Sequence, residues 1–299
     1  MSLTHQNRLV VPVLSTVGGS GRSTTAGLLA CALSAVGSSV VLDTGPRLSS
    51  PWPAWSAEPG TGLLSLPPDR PLTRGQVHAA ASRFPAPNGG AWQVLTDHQE
   101  WNHPPLPLPE DPAAWYQLAA IGGWQAVIAD TVHPVAHDVL TARCAGSTGL
   151  TARWCQLPFS VPVLCAANTG SGVQALQTAV KAASAEGLPL HRVIVALTAT
   201  GEGRAPASVR AAAAMLEPRV RAVVQVPHDP RIRAHGMRDA SRLKPRSLEA
   251  GRQLAHAVVD SAWAAWGDPL PAAAVPRART AASPNVDHTA RNTSKKVPA

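Results

Sequence analysis

The sequence predicts an α/β fold, a mainly parallel sheet with helices on both faces. Three observations carry this prediction. Short apolar runs alternate with helical segments along most of the chain. The runs are apolar throughout, as strands buried on both faces are. The first run leads through a glycine-rich turn into a helix, and two later runs end in a carboxylate. With 45% hydrophobic and 15% charged residues in 299 positions, the composition excludes wholesale disorder. The pattern predicts one domain over 8–266, a short N-terminal extension at 1–7, and a disordered basic tail at 267–299 that is rich in Ala, Pro, Arg and Ser.

In order along the chain, Arg8 to Leu14 predicts a buried strand, although Pro12 is awkward in a central one. Gly18 to Gly21 forms a turn, and Thr24 to Val36 predicts a helix. Ser39 to Asp43 is a second strand. Residues 44–70, rich in Pro, Ser and Trp, predict a long irregular loop. A helix at about 72–82 and a strand Trp92 to Thr96 follow. After a Pro-rich loop, Asp111 and Pro112 supply a cap and a first helical residue. Trp124 to Asp130 is a strand that ends in an acid. Val161 to Ala167 and Arg192 to Leu197 are strands, with an amphipathic helix at about 171–186 between them. A helix at 206–216 leads to the strand Val220 to Val226. The last helix, about 247–266, carries an apolar stripe of Leu248, Leu254, Val258, Ala262, Trp263 and Trp266 that predicts packing on the sheet.

No apolar run approaches the roughly 20 residues that span a bilayer. Leu9 to Leu14 is too short for a signal-peptide core, which predicts a cytoplasmic protein. Cys31, Cys144, Cys155 and Cys165 show no C-x-x-C spacing and read as buried reduced thiols. The net charge of +8 is unevenly spread. Residues 1–150 hold 7 basic and 9 acidic side chains; residues 151–299 hold 19 and 9. The densest basic stretch, 231–252, includes Arg231, Arg233, Arg238, Arg242, Lys244 and Arg246. Such a segment suits DNA, acidic lipid or an acidic protein face, or is simply a solvated surface.

The chemistry concentrates between the first strand and first helix, in Ser15-Thr-Val-Gly-Gly-Ser-Gly-Arg-Ser-Thr24. Glycines let backbone N–H groups converge on an anion, and the helix N-terminus adds a partial positive charge. In a phosphate loop a cation neutralises β- and γ-phosphates and the next hydroxyl ligates magnesium; here these are Arg22 and Ser23.

Val17-Gly18-Gly19-Ser20-Gly21-Arg22-Ser23-Thr24 resembles the deviant Walker A motif K-G-G-x-G-K-[ST]-T of the ParA/MinD group of P-loop ATPases. Val40-Val-Leu-Asp43-Thr-Gly-Pro46 is similar to that group's h-h-h-D-x-D-P segment. Ala126-Val-Ile-Ala-Asp130-Thr131 is similar to its Walker B strand, and Val226-Pro-His-Asp-Pro-Arg-Ile-Arg233 to its V-P-x-D-P segment near the adenine. The resemblance spans roughly 8–260 and implies a P-loop NTPase fold. It implies ATP contacts from Gly18, Gly19, Ser20, Gly21, Arg22, Ser23, Thr24, Pro227 and Asp229, and magnesium at Ser23, Asp43 and Asp130. It also implies a homodimer that binds DNA, membrane or a protein partner, in a partitioning, positioning or secretion/conjugation-accessory role.

Three departures fall on residues that the group uses for hydrolysis. Val17 replaces the signature lysine, Arg22 the phosphate-binding lysine, and Gly45 the second Asp of D-x-D. Removing one charge-stabilising group commonly costs about 10²–10³ in rate. The expectation is weak or lost hydrolysis; the alternative is a pseudo-ATPase scaffold that works through 231–252. His133, His137 and Asp138 offer a weaker metal pattern, interrupted by Pro134.

Overall fold

The computed structural model describes residues 3–274, apart from residues 5 and 68. Strand β1 (Leu9–Ser15) is buried along its whole length. Helix α1 (Arg22–Leu33) follows the glycine-rich turn, and strand β2 (Ser39–Asp43) is again fully buried. The next loop holds a short helical turn, α2 (Trp52–Trp55). Helix α3 (Arg74–Ala80) opens on a capping box: Thr73 Oγ1 accepts from the Gln76 N–H, and Gln76 accepts from the Thr73 N–H. Strands β3 (Ser82–Pro85) and β4 (Ala91–Leu95) form a hairpin. Helix α4 (Pro112–Gly122) is capped by Asp111, as expected. Strand β5 (Ala126–Pro134) leads to α5 (Val135–Cys144) and α6 (Leu150–Cys155). Strand β6 (Val163–Ala167), helix α7 (Gly170–Ala185), strand β7 (Ile194–Thr198), helix α8 (Ala207–Leu216) and strand β8 (Ala222–Val226) complete the alternation. Helices α9 (Pro230–His235) and α10 (Pro245–Trp266) follow.

The eight strands lie in the order β3-β4-β2-β5-β1-β6-β7-β8, parallel except for the β3–β4 edge. Side chains alternate between the two faces. Val11, Val13, Val41, Ile128 and Ala196 face one cluster with α1 and α10. Leu164, Val195 and Leu197 face a second with α5, α7 and α8. Val40, Leu42 and Val127 face a third with α3 and α4. The stripe on α10 packs inward, with Leu254, Val258 and Ala262 buried. Pro12 is tolerated in the central strand because the β1–β6 ladder is interrupted there: Val10 bridges Ser160, and regular pairing resumes only at Val13 with Val163.

Several features differ from expectation: α1 starts and ends two to three residues earlier than Thr24 to Val36, and α5, α6 and α9 were not expected as helices. The four-residue β3, with an arginine and a proline, has too weak a pattern to separate from the helix before it. Strand β5 does not stop at Asp130 but runs on to Pro134 through a bulge opposite β1, so the carboxylate sits inside the sheet. Cys144 is exposed, whereas the other three cysteines are buried. The two ends of the described span also join the packed body. Leu3 and Leu270 are buried, Asn7 Nδ2 donates to the Leu270 carbonyl at 2.7 Å, and the Ala273 N–H donates to the Gln6 carbonyl at 2.7 Å. The start of the expected tail, 267–274, is thus fastened to the expected N-terminal extension. The rest of the tail, 275–299, lies outside the described residues.

Candidate functional site

The loop between β1 and α1 is built on glycines at two positions that need them. Gly19 and Gly21 have φ of 73° and 81°, the left-handed region that disfavours other residues. A Cβ at Gly21 would meet the Thr198 side chain at 2.6 Å, so the end of β7 packs directly beneath the loop. A Cβ at Gly18 or Gly19 would meet nothing within 4 Å, so the backbone there lies open. The hydroxyls of Thr16 and Ser20 are buried and have no hydrogen-bond partner among the described residues. Thr25 Oγ1 donates to the Gly21 carbonyl at 2.9 Å and holds the loop to the first turn of α1. Val17 is 43% exposed and carries no charge.

Next to the loop lie two buried carboxylates. Asp43 and Asp130 are register partners on adjacent strands, each nearly inaccessible. Arg22 Nε donates to Asp130 Oδ1 at 2.6 Å. Trp52 Nε1 donates to Asp130 Oδ2 at 2.8 Å. Asp43 Oδ2 accepts from Ser50 Oγ at 2.6 Å and Thr96 Oγ1 at 2.5 Å, and Asp43 Oδ1 accepts from the Gly45 N–H at 3.2 Å. Burial pushes the Asp43 carboxyl up to about 7; the Asp130 charge adds to the rise, and the hydrogen bonds oppose it. Gly45 suits this arrangement, since a Cβ there would lie 3.3 Å from Asp43 Oδ1 and an acid would add a third carboxylate.

The loop after β2 seals the acids. Trp52 is fully buried and meets Trp55, Phe84 and Trp92 edge-on, with ring centroids 5.1, 6.0 and 5.9 Å away. Arg47 pairs with Asp97 at 3.4 Å and donates to the His103 carbonyl at 2.6 Å, which pins the loop to the end of β4. Trp52, Ser50 and Thr96 were not legible as site residues. Trp52 falls in a loop whose tryptophans have no periodicity, and Thr96 lies 53 residues from its acid.

The structure therefore brings Gly18, Gly19, Ser20, Gly21, Arg22, Ser23, Asp43 and Asp130 into one region. Of the expected magnesium ligands, Ser23 is half-buried and has no hydrogen bond among the described residues, while both acids are engaged by protein donors. Asp229 is also committed elsewhere. It caps α9 through the Arg231 N–H at 2.9 Å and holds the start of α10 through the Lys244 N–H and Ser247 Oγ. Pro227 beside it is half-buried. Asp138 caps α6 through the Leu150 and Thr151 N–H groups, and burial lowers the His133 pKa. Among the described residues no cluster of three or more His, Cys, Asp or Glu could hold a metal, and no helix is long and apolar enough to cross a membrane. Arg231, Arg233, Arg238 and Arg246 are exposed and make no ion pair among the described residues. Arg242 pairs with Asp239 and Lys244 with Glu202.

No family model matches the chain, and no curated protein matches its sequence. Solved structures do match its fold. A ParA family ATPase from Chlorobium tepidum is 14% identical and superposes with a TM-score of 0.53, covering 83% of this chain and 99% of its own. The cell division ATPase MinD from Pyrococcus furiosus is 15% identical, with a TM-score of 0.51, 84% of this chain and 98% of its own. The septum site-determining protein MinD from Pyrococcus horikoshii, complexed with Mg-ADP, is 15% identical, with a TM-score of 0.52, 84% of this chain and 96% of its own. The chain has the P-loop NTPase fold of ParA/MinD-type ATPases.

Proposed function

We propose that this chain is a nucleotide-binding protein of the partitioning, positioning or secretion/conjugation-accessory type, with weak or lost ATP hydrolysis. The observation that carries the reading is the β1–α1 loop. Open backbone at Gly18 and Gly19, two buried hydroxyls without partners among the described residues, and the N-terminus of a 12-residue helix together suit a polyphosphate. Val17, Arg22 and Gly45 support slow turnover, because each stands where ParA/MinD-like ATPases carry a residue for hydrolysis. Asp229 fits adenine contact less well than the loop fits phosphate, since its carboxylate holds α9 and α10.

Ligand that binds only the folded state stabilises it by RT ln(1 + [L]/Kd), about 2.7 kcal/mol at 100 times Kd. Thermal melting with and without millimolar ATP should show that rise, and a phosphate-release assay should show little or no turnover. A flat melting response would sink ATP binding; brisk turnover lost in Arg22→Ala would sink the loss of hydrolysis.

The second reading, a scaffold acting through 231–252, is favoured by one observation: Arg231, Arg233, Arg238 and Arg246 are exposed without acidic partners among the described residues. Neutralising Arg231, Arg233 and Arg238 should flatten the salt dependence of any DNA binding. A homodimer is part of the leading reading, but uncharged Val17 offers no cross-dimer phosphate contact.

A further inference from the structure

Arg22 stands against the carboxylate that the sequence reading assigns to magnesium. Its Nε bonds Asp130 Oδ1 at 2.6 Å, and the indole of Trp52 takes the other oxygen at 2.8 Å. Asp130 is 2% exposed and Trp52 is not exposed at all. Magnesium could reach this carboxylate, directly or through water, only if the indole or the guanidinium moved away. The indole is held edge-on by Trp55, Phe84 and Trp92. A dication on the same carboxylate would also stand beside a guanidinium of like sign. Asp43 offers no replacement, because Ser50, Thr96 and the Gly45 N–H already donate to it. Of the expected ligands only the Ser23 hydroxyl is unengaged among the described residues, and a lone hydroxyl without a carboxylate does not fit magnesium.

The guanidinium has capacity left. Its two terminal nitrogens make no hydrogen bond among the described residues, and the side chain is 22% exposed at the first residue of α1. A planar fork can hold a carboxylate through Nε and a phosphate through its terminal nitrogens; a lysine ammonium cannot span both with the same rigidity. We infer that Arg22 takes the place of the metal, bridging Asp130 to a phosphate, and that the site binds a nucleoside polyphosphate as the metal-free anion. This inference rests on the nucleotide-binding reading above.

The test is calorimetric titration of the full chain with ATP, once in excess EDTA and once in excess magnesium chloride. The expected result is a dissociation constant that differs by less than about fivefold between the two. Magnesium tightening the binding by about fivefold or more overturns the inference and leaves nucleotide binding intact. No binding in either buffer overturns nucleotide binding itself, and the inference with it. Arg22→Lys separates bridging from charge. In EDTA it should weaken ATP binding by about tenfold, with the circular dichroism spectrum unchanged. Wild-type affinity of Arg22→Lys in EDTA would overturn the bridging role.

Discussion

Replacing Trp52 with Phe tests whether the loop after β2 is truly part of the core. The substitution keeps an aromatic ring but removes the donor to Asp130 Oδ2, a 2.8 Å bond inside a site closed to solvent. A lost hydrogen bond to a charged group costs about 1.5–3 kcal/mol. Shrinking a fully buried ring among Trp55, Phe84 and Trp92 adds about 1–2 kcal/mol. The expected destabilisation is therefore about 3 kcal/mol, a large share of the roughly 5–15 kcal/mol that holds a typical domain together. Urea denaturation followed by circular dichroism reads this as a lower midpoint at unchanged slope. A double-mutant cycle with Asp130→Ala, which leaves the indole no acceptor there, isolates the bond, since the two changes should couple by about 1 kcal/mol or more. A loss below about 1 kcal/mol for Trp52→Phe, or effects that add within about 0.5 kcal/mol, would refute the indole–carboxylate contact.

Other outcomes follow from single contacts. Asp43 is pushed up to about 7 from an ordinary value of 3.8. Its contribution to stability is therefore full below about pH 4 and is lost as pH rises toward 7. Over that window Asp43→Asn should flatten the fall in denaturation midpoint; an unchanged profile would refute the shift. Gly21→Ala should destabilise by about 2 kcal/mol or more, through its left-handed φ and a Cβ 2.6 Å from Thr198. Gly18→Ala has room and should melt within a degree or two of the wild type, yet bind ATP more weakly because its methyl stands on open backbone. Equal melting of the two variants would contradict the loop geometry. Thr73→Ala should cost about 1 kcal/mol by removing the capping box of α3, measurable in the same denaturation assay.

Much of the fold was legible because its strands are short apolar runs bounded by turn residues. Ser39 to Asp43 lies where the pattern put it, and α7, α8 and α10 begin and end within two residues of expectation. The β5 extension was not legible, because Thr131 to Pro134 is polar and proline-terminated and pairs only through a bulge. In the site, one local motif marked the glycine loop and Arg22, and two separate segments marked Asp43 and Asp130. What those acids touch depends on side chains far away in sequence. The bond from Arg22 to Asp130 closes 108 residues, and the one from Trp52 closes 78. Motif spacing therefore showed which groups meet, but not that they neutralise one another.

Helix α1 begins at the glycine-rich loop. Five residues further on, Gly27 has no side chain, and Met237 rests against its backbone: a Cβ there would meet Met237 Cγ at 2.6 Å. Met237 is fully buried and lies between Arg233 and Arg238, within the basic stretch. A little further along, Gly251 of α10 lies against the Leu28 carbonyl, where a Cβ would stand 3.0 Å from the oxygen. At these two seats the helix has no slack. The glycine-rich loop and the basic stretch thus both touch α1, and Gly236, at a left-handed φ of 62°, separates the Met237 seat from Arg231 and Arg233.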